Sequence, residues 1–113
     1  MPKIAVKKLD ERAVLPCYGS DFAAGADLYA VLDEPVVIAA GETKLIRTGL
    51  SMEIPEGDAG LIYARSGLAT KRGLAPANKV GVVDADYRGE VMVALHNHSA
   101  VAQTVESGER IAQ

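Results

Sequence analysis

The sequence predicts an all-β fold interrupted by one short helix. Apolar spacing at the helical period is nearly absent, while short β-branched runs bounded by Gly, Pro and Asp recur along the chain. So many short strands within 113 residues leave a sandwich, a barrel or a jelly roll as the ways to bury them. The length bounds a single domain, residues 1–113, with a modest core. Aromatic residues make up only 4% of the chain and Trp is absent, so that core must be built from Val, Ile, Leu and Ala.

The elements follow in order. "KIAV" alternates from Lys3 to Val6 as a first strand. "PVVIAAGE" predicts a strand at Val36 to Ile38 that ends in a turn at Gly41. "TKLIRTGLSMEIP" reads as one extended run from Thr43 to Pro55, with Leu45, Ile46, Leu50, Met52 and Ile54 apolar. "EGDAG" is a turn and "LIYA" a strand. "RSGLATKRGLAP" breaks the pattern: Ser66 stands at an N-cap position, Leu68, Ala69 and Lys71 favour helix, and Gly73 is placed to end it. "VGVVDADYRGEV" begins as an apolar strand, passes Asp84, Asp86, Tyr87 and Arg88, and turns apolar again. "VMVALHNH", Val91 to His98, is expected to be its hairpin return. The final "GERIAQ" reads as the start of another strand at Gln113.

Charge and cysteine content narrow the chemistry. A hydrophobic content of 49% with 24% charged residues is that of an ordinary soluble domain. The net charge of −3 argues against non-specific nucleic-acid binding, which rests on Lys and Arg neutralising phosphates. A small anionic ligand remains compatible, because a bound metal ion can carry the neutralising charge. Cys17 stands alone, which removes an internal disulfide and a thiolate metal cluster and fits a reducing, cytoplasmic setting. The N-terminal "MPKIAVKKLD" lacks the apolar run of a signal peptide, and no segment approaches a membrane span, so neither membrane nor nucleic acid is expected as a partner.

Several residues carry possible chemistry. The first turn of the helix would present free N–H groups at Ser66 to Leu68 beside the guanidinium of Arg65, a combination suited to phosphate, although a capping Ser next to a surface Arg is also commonplace. Asp84 continues an apolar strand and should be half shielded, while Asp86 lies nearer solvent. A carboxylate there can accept a proton from a positioned water if the electrophile is strongly activated, or it can simply cap a turn. Tyr87 offers either packing or a flat platform for a sugar or base. His96 and His98 share a strand face but lack a third partner for a metal. Asp27 in "AAGADLYA" is a turn acid or a holder of waters on a hydrated metal ion.

The order of these segments resembles the trimeric dUTPase family. "AGADLYA", "ARSGLA", "NKVGVVDADYRGEV" and the terminal "GERIAQ" are similar to four of that family's motifs, in its order, from about Ala24 onward. The resemblance implies a jelly-roll-like β-sandwich that assembles as a homotrimer with its sites between subunits. It implies hydrolysis of dUTP to dUMP and pyrophosphate with Mg²⁺, limiting uracil in DNA and supplying dUMP for dTMP synthesis. Asp84 would activate the water that attacks the α-phosphorus. Tyr87 would pack under the deoxyribose, and Asn78, Val82 and Val83 would belong to the hairpin that reads uracil through its backbone, with Gly81 allowing close approach. Arg65, Ser66, Gly67 and Gln113 would hold the triphosphate, Met92 stands at a substrate-contacting position where some members carry Lys, and Asp27 would bind Mg²⁺ through water. Asp86, Arg88 and Gly89 would shape the turn. The family's fifth motif, a Gly-rich C-terminal arm, is absent from the sequence, so these 113 residues are expected to bind nucleotide but turn over slowly.

Two rivals are weaker. A dCTP deaminase on the same fold would usually carry a second Ser where Gly67 stands, together with a glutamate acid–base. A non-catalytic nucleotide-binding regulator would have no need of Asp84 with Tyr87.

Overall fold

Each expected strand finds a partner, but several pairings differ from those adjacent in sequence. The structure is a computed structural model describing residues 3–113; Met1 and Pro2, the first residues of the domain read as 1–113, lie outside it. Twelve strands and one helix are present among the described residues. They are β1 (Ala5–Lys8), β2 (Cys17–Tyr18), β3 (Ala26–Tyr29), β4 (Val36–Ile38), β5 (Thr43–Arg47), β6 (Leu50–Glu53), β7 (Gly60–Ile62), α1 (Ser66–Arg72), β8 (Leu74–Pro76), β9 (Gly81–Val83), β10 (Met92–Asn97), β11 (Gln103–Val105) and β12 (Arg110–Ala112). All ladders are antiparallel: β1 with β6, β5 with β10 and β10 with β8, β4 with β11, β2 with β3 and β3 with β12, and β7 with β9. The result is an all-β, jelly-roll-like arrangement with a single short helix.

The core is aliphatic, as the composition requires. Ile38, Ile46, Leu50, Leu74, Val93, Leu95 and Ile111 are buried together. Along β10 the alternation places Val93, Leu95 and Asn97 inward, with Met92 exposed and Ala94 and His96 half-buried. Asn97 is the polar member of this interior, and it is fully satisfied. Its Nδ2 donates to the carbonyls of Ile38 at 2.9 Å and Val101 at 2.8 Å, and its Oδ1 accepts from Ser99 N–H at 2.9 Å and Ser99 Oγ at 2.7 Å.

The run Thr43 to Pro55 is two strands rather than one. β5 pairs with β10, whereas β6 pairs with β1, so the chain changes sheet at Thr48–Gly49. Thr48 fixes that corner: its buried hydroxyl donates to Val91 O at 2.6 Å and accepts Leu50 N–H at 3.3 Å. The first strand lies at Ala5 to Lys8 instead of Lys3 to Val6, set by its register against Leu50 to Glu53.

β10 is not the hairpin return of β9. β9 pairs with β7, and β10 lies between β5 and β8. Between them residues 84–90 leave the sheet: Tyr87 N–H bonds to Asp84 O at 3.1 Å, and Val91 N–H is drawn to Leu50 O at 2.8 Å. Among the described residues, one edge of β9 therefore has no strand beside it.

The helix begins one residue earlier than expected. Arg65, with φ −94° and ψ 130°, is the N-cap residue, and no side chain caps the helix. Ser66 is instead the first helical residue. Gly73 ends α1 as expected, in the left-handed region at φ 68° and ψ 21°, with its N–H on Ala69 O at 3.1 Å. No helix among the described residues is long and apolar enough to cross a membrane.

Candidate functional site

The site residues expected from sequence fall into two groups. The first surrounds a cleft of about 410 Å³ lined by Asn78, Val82, Val83, Asp84, Tyr87 and Met92, together with Leu45, Ile62 and Glu90. It opens where β9 and β10 part. Along β9, Val83 packs against the core and Val82 is exposed, so the apolar strand is held by one face only. Asp84 follows directly and is exposed rather than half shielded, because β9 has no neighbour on that edge. No hydrogen-bond partner or ion pair holds its carboxylate among the described residues, which leaves it free for a ligand or a water. Packing within the sheet gives Gly81 a second reason for its size. It is buried, and a Cβ there would stand 3.3 Å from Ile62 Cβ, so the neighbour that needs its small size is the facing strand β7.

The excursion after Asp84 is tied down at several points. Ser51 Oγ donates to Arg88 O at 2.7 Å, and Arg88 Nη1 donates back to Ala85 O at 2.7 Å and to Tyr87 O at 3.0 Å. Tyr87 is partly exposed, and its hydroxyl donates to Glu90 O at 2.8 Å. The Glu90 carboxylate accepts Arg47 Nε at 3.1 Å and Gly49 N–H at 2.9 Å. Glu90 was invisible as a functional residue in the sequence, since its partner Arg47 lies far away along the chain.

The second group assembles around Asp27. This residue on β3 is buried at 7% exposure, and its Oδ1 accepts Arg65 Nε at 3.0 Å, with Arg110 Nη1 3.6 Å from Oδ2. Gln113 sits alongside. It exchanges backbone hydrogen bonds with Tyr63 at 2.7 and 3.0 Å, donates Nε2 to Ala64 O at 2.9 Å, and packs against Gly25, where a Cβ would stand 3.0 Å from its Oε1. Three segments distant in sequence thus meet at one place. Ser66 and Gly67 are exposed at the start of α1, with open space over Gly67. The first-turn N–H groups have no partner within a helix. Arg110 was missed from sequence, and no local pattern marks it.

These groups do not share a pocket within one chain: the cleft lining includes none of Asp27, Arg65, Ser66, Gly67 or Gln113. A larger apolar groove of about 1080 Å³ runs past Val6, Leu15, Met52, Ile54, Leu61 and Tyr63, and Gly25, Val83 and Gln113 also border it. It lacks charged groups, whereas the smaller cleft carries Asp84 and Glu90. Among the described residues no three His, Cys, Asp or Glu side chains stand close enough to hold a metal directly. Asp27 offers hard oxygen donors but already faces two guanidinium groups, which fits an ion held through water and not a direct ligand. His96 is engaged through Nδ1 with Thr43 Oγ1 at 2.8 Å, and the His98 ring lies 4.5 Å away, a pair without a third ligand.

Known proteins match this architecture closely. The dUTPase family model matches residues 11–113. The deoxyuridine 5′-triphosphate nucleotidohydrolase of Desulfitobacterium hafniense is 48% identical over 112 residues, covering 98% of this chain and 74% of that protein. The protein of the same name from Sodalis glossinidius is 47% identical over 118 residues, covering 100% and 78%. A Staphylococcus bacteriophage 80alpha dUTPase variant solved with dUpNHpp superposes with a TM-score of 0.88 at 27% identity, covering 99% of this chain and 80% of that one. A variant of the dUTPase from phage phi11 of S. aureus, whose structure reveals the coordination of a structural Mg(II) ion, superposes with a TM-score of 0.86 at 25% identity, covering 98% and 87%.

Proposed function

The chain belongs to the dUTPase family, and from that premise we propose that it hydrolyses dUTP to dUMP and pyrophosphate. The observation that carries the reading is the carboxylate of Asp84, exposed and unpartnered at the end of a strand whose outer edge is free. A carboxylate beside a bound water can accept its proton as the water attacks. Asp84 would orient that water toward the α-phosphorus.

The cleft supplies selection. A uracil laid along β9 would meet main-chain N–H and C=O groups that no strand occupies, with Asn78 at the tip and Val82 and Val83 as walls. Tyr87 would lie against the deoxyribose and discriminate by clash against a 2′-hydroxyl. Met92 closes the far side. The triphosphate would be held by Arg65 and the amides of Ser66 and Gly67, with Gln113 reaching a phosphate oxygen. Magnesium held by waters on Asp27 would neutralise the phosphate oxygens and activate the electrophile. Asp27 keeps the Arg65 guanidinium oriented through Oδ1, while its Oδ2 faces Arg110.

A complete site then needs more than one chain. The cleft and the Arg65 cluster are separate surfaces here, and a homotrimer would bring one chain's cleft to another's phosphate residues. The apolar groove, with Leu61 and Tyr63 exposed beside it, is the kind of surface such assembly covers. We place the enzyme in the cytoplasm, with dUTP as its partner and neither nucleic acid nor membrane.

The test is pyrophosphate release from a panel of deoxy- and ribonucleoside triphosphates, with and without Mg²⁺, for the wild type and Asp84→Asn. The substitution should lower kcat for dUTP by about 10²–10⁴-fold, the usual contribution of a general base, while dUTP affinity stays within a few-fold. Turnover near wild type in that variant, or a preference for another nucleotide, would overturn the proposal.

A further inference from the structure

Gly89 is the place where the excursion carries an unexplained constraint. Its φ lies outside the left-handed region, so the backbone there accepts any L residue. A Cβ at that position, however, would stand 2.5 Å from the Tyr87 hydroxyl, 2.7 Å from Cζ and 3.1 Å from Cε1. The phenol ring folds back over residue 89 and occupies the space of its missing side chain. What requires glycine is the ring.

The surrounding bonds decide which of the two would yield. Arg88 O is held by Ser51 Oγ at 2.7 Å, and Glu90 is held through its carboxylate by Arg47 and by Gly49 N–H. Both neighbours of Gly89 are therefore anchored to the β5–β6 corner. Tyr87, in contrast, is 45% exposed and its ring is tethered by one hydrogen bond, to Glu90 O. A methyl group at 89 displaces the ring and leaves the turn in place. Moving from 2.5–2.7 Å to an ordinary contact of about 3.5 Å requires a shift of about 1 Å. Tyr87 and Glu90 line the cleft and Gly89 does not, so the ring is pushed into the cleft.

We infer that Gly89 is a positioning residue for sugar recognition: its missing side chain sets where the Tyr87 ring stands in the cleft. The inference rests on Tyr87 being the sugar platform. A misplacement of about 1 Å at a positioning group can cost 10²-fold, and the loss here falls on dUTP binding, because the sugar space narrows.

The experiment compares wild type, Gly89→Ala, Tyr87→Ala and the double variant. It reads KM and kcat for dUTP and UTP and equilibrium binding of dUpNHpp, with thermal midpoints confirming that all four fold. Gly89→Ala should raise KM and weaken analogue binding by about ten- to a hundredfold, on the same misplacement scale, with a smaller change in kcat. In the Tyr87→Ala background, with no ring to displace, the same methyl should change either by less than about twofold, since sites that do not share a partner add independently. Equal losses in both backgrounds would assign the effect to the backbone and overturn the inference, as would an unimpaired Gly89→Ala. If Tyr87→Ala left the preference for dUTP over UTP unchanged, the platform reading itself would fall and this inference with it.

Discussion

Substituting Gly73→Ala separates two costs at the C-terminal end of α1, the helix that follows Arg65. Gly73 holds φ 68°, and a Cβ there would stand 2.9 Å from Ser99 N and 3.0 Å from Ser99 Cβ. Gly41 holds φ 75° with nothing within 4 Å, so Gly41→Ala carries the left-handed penalty alone. That penalty is about 1 kcal/mol once the stiffer unfolded chain is allowed for. At Gly73 a main-chain nitrogen must also give way by about half an ångström, which adds about 1–3 kcal/mol. With an unfolding entropy of about 2.1 cal/mol/K per residue, each kcal/mol shifts the midpoint of a chain this size by about 4 °C. Gly41→Ala should therefore lower Tm by about 4 °C and Gly73→Ala by about 8–16 °C. Both are read by circular dichroism at one fixed protein concentration, because an associating protein melts according to its concentration. Equal shifts for the two variants would refute the reasoning, since only one of them meets a backbone atom.

Two further outcomes follow from polar groups. Asn97→Ala removes four hydrogen bonds made by a fully buried side chain, so urea denaturation should show a loss of about 3 kcal/mol or more; a loss below 1 kcal/mol would mean that water replaces them. Asp10 accepts the side chain and backbone N–H of Arg12, which hold its carboxyl well below the usual carboxylate range. A depressed value contributes stability that is complete above about pH 4, the unfolded value, and fades as pH falls further. The gap in Tm between wild type and Asp10→Asn should then stay constant above about pH 4 and narrow from there toward pH 2, and a gap independent of pH would exclude this origin.

Local signals in the sequence were reliable where one residue decides the outcome. Gly73 ended the helix because few residues take that conformation cheaply, and "PVVIAAGE" gave the strand Val36 to Ile38 with its bounds. Pairing was less legible. β9 and β10 look like a hairpin because they are neighbours in sequence, yet the anchors that pull residues 84–90 aside, Ser51 and Leu50, belong to β6. Ser66 matched the cap preference, but Arg65 took the cap position. Within the site, the cleft residues from Asn78 to Met92 are close in sequence and were found together. The Asp27–Arg65–Arg110 cluster joins positions from three distant segments, so its Arg110 member had no signal nearby. Gly89 was assigned to the turn, because nothing in a one-dimensional pattern shows a ring folding back over it.

The unpaired edge of β9 also bears on how such a site can change. On the proposed reading, the base meets peptide groups, and peptide groups are the same whichever amino acid supplies them. Point mutation at Val82 or Val83 would alter the walls without rewriting the order of donors and acceptors. A different pyrimidine preference would demand a slipped register between β9 and β7, which turns Val83 from the interior to the surface. Fidelity of this sort is guarded by the fold itself, and drift in side chains erodes it slowly.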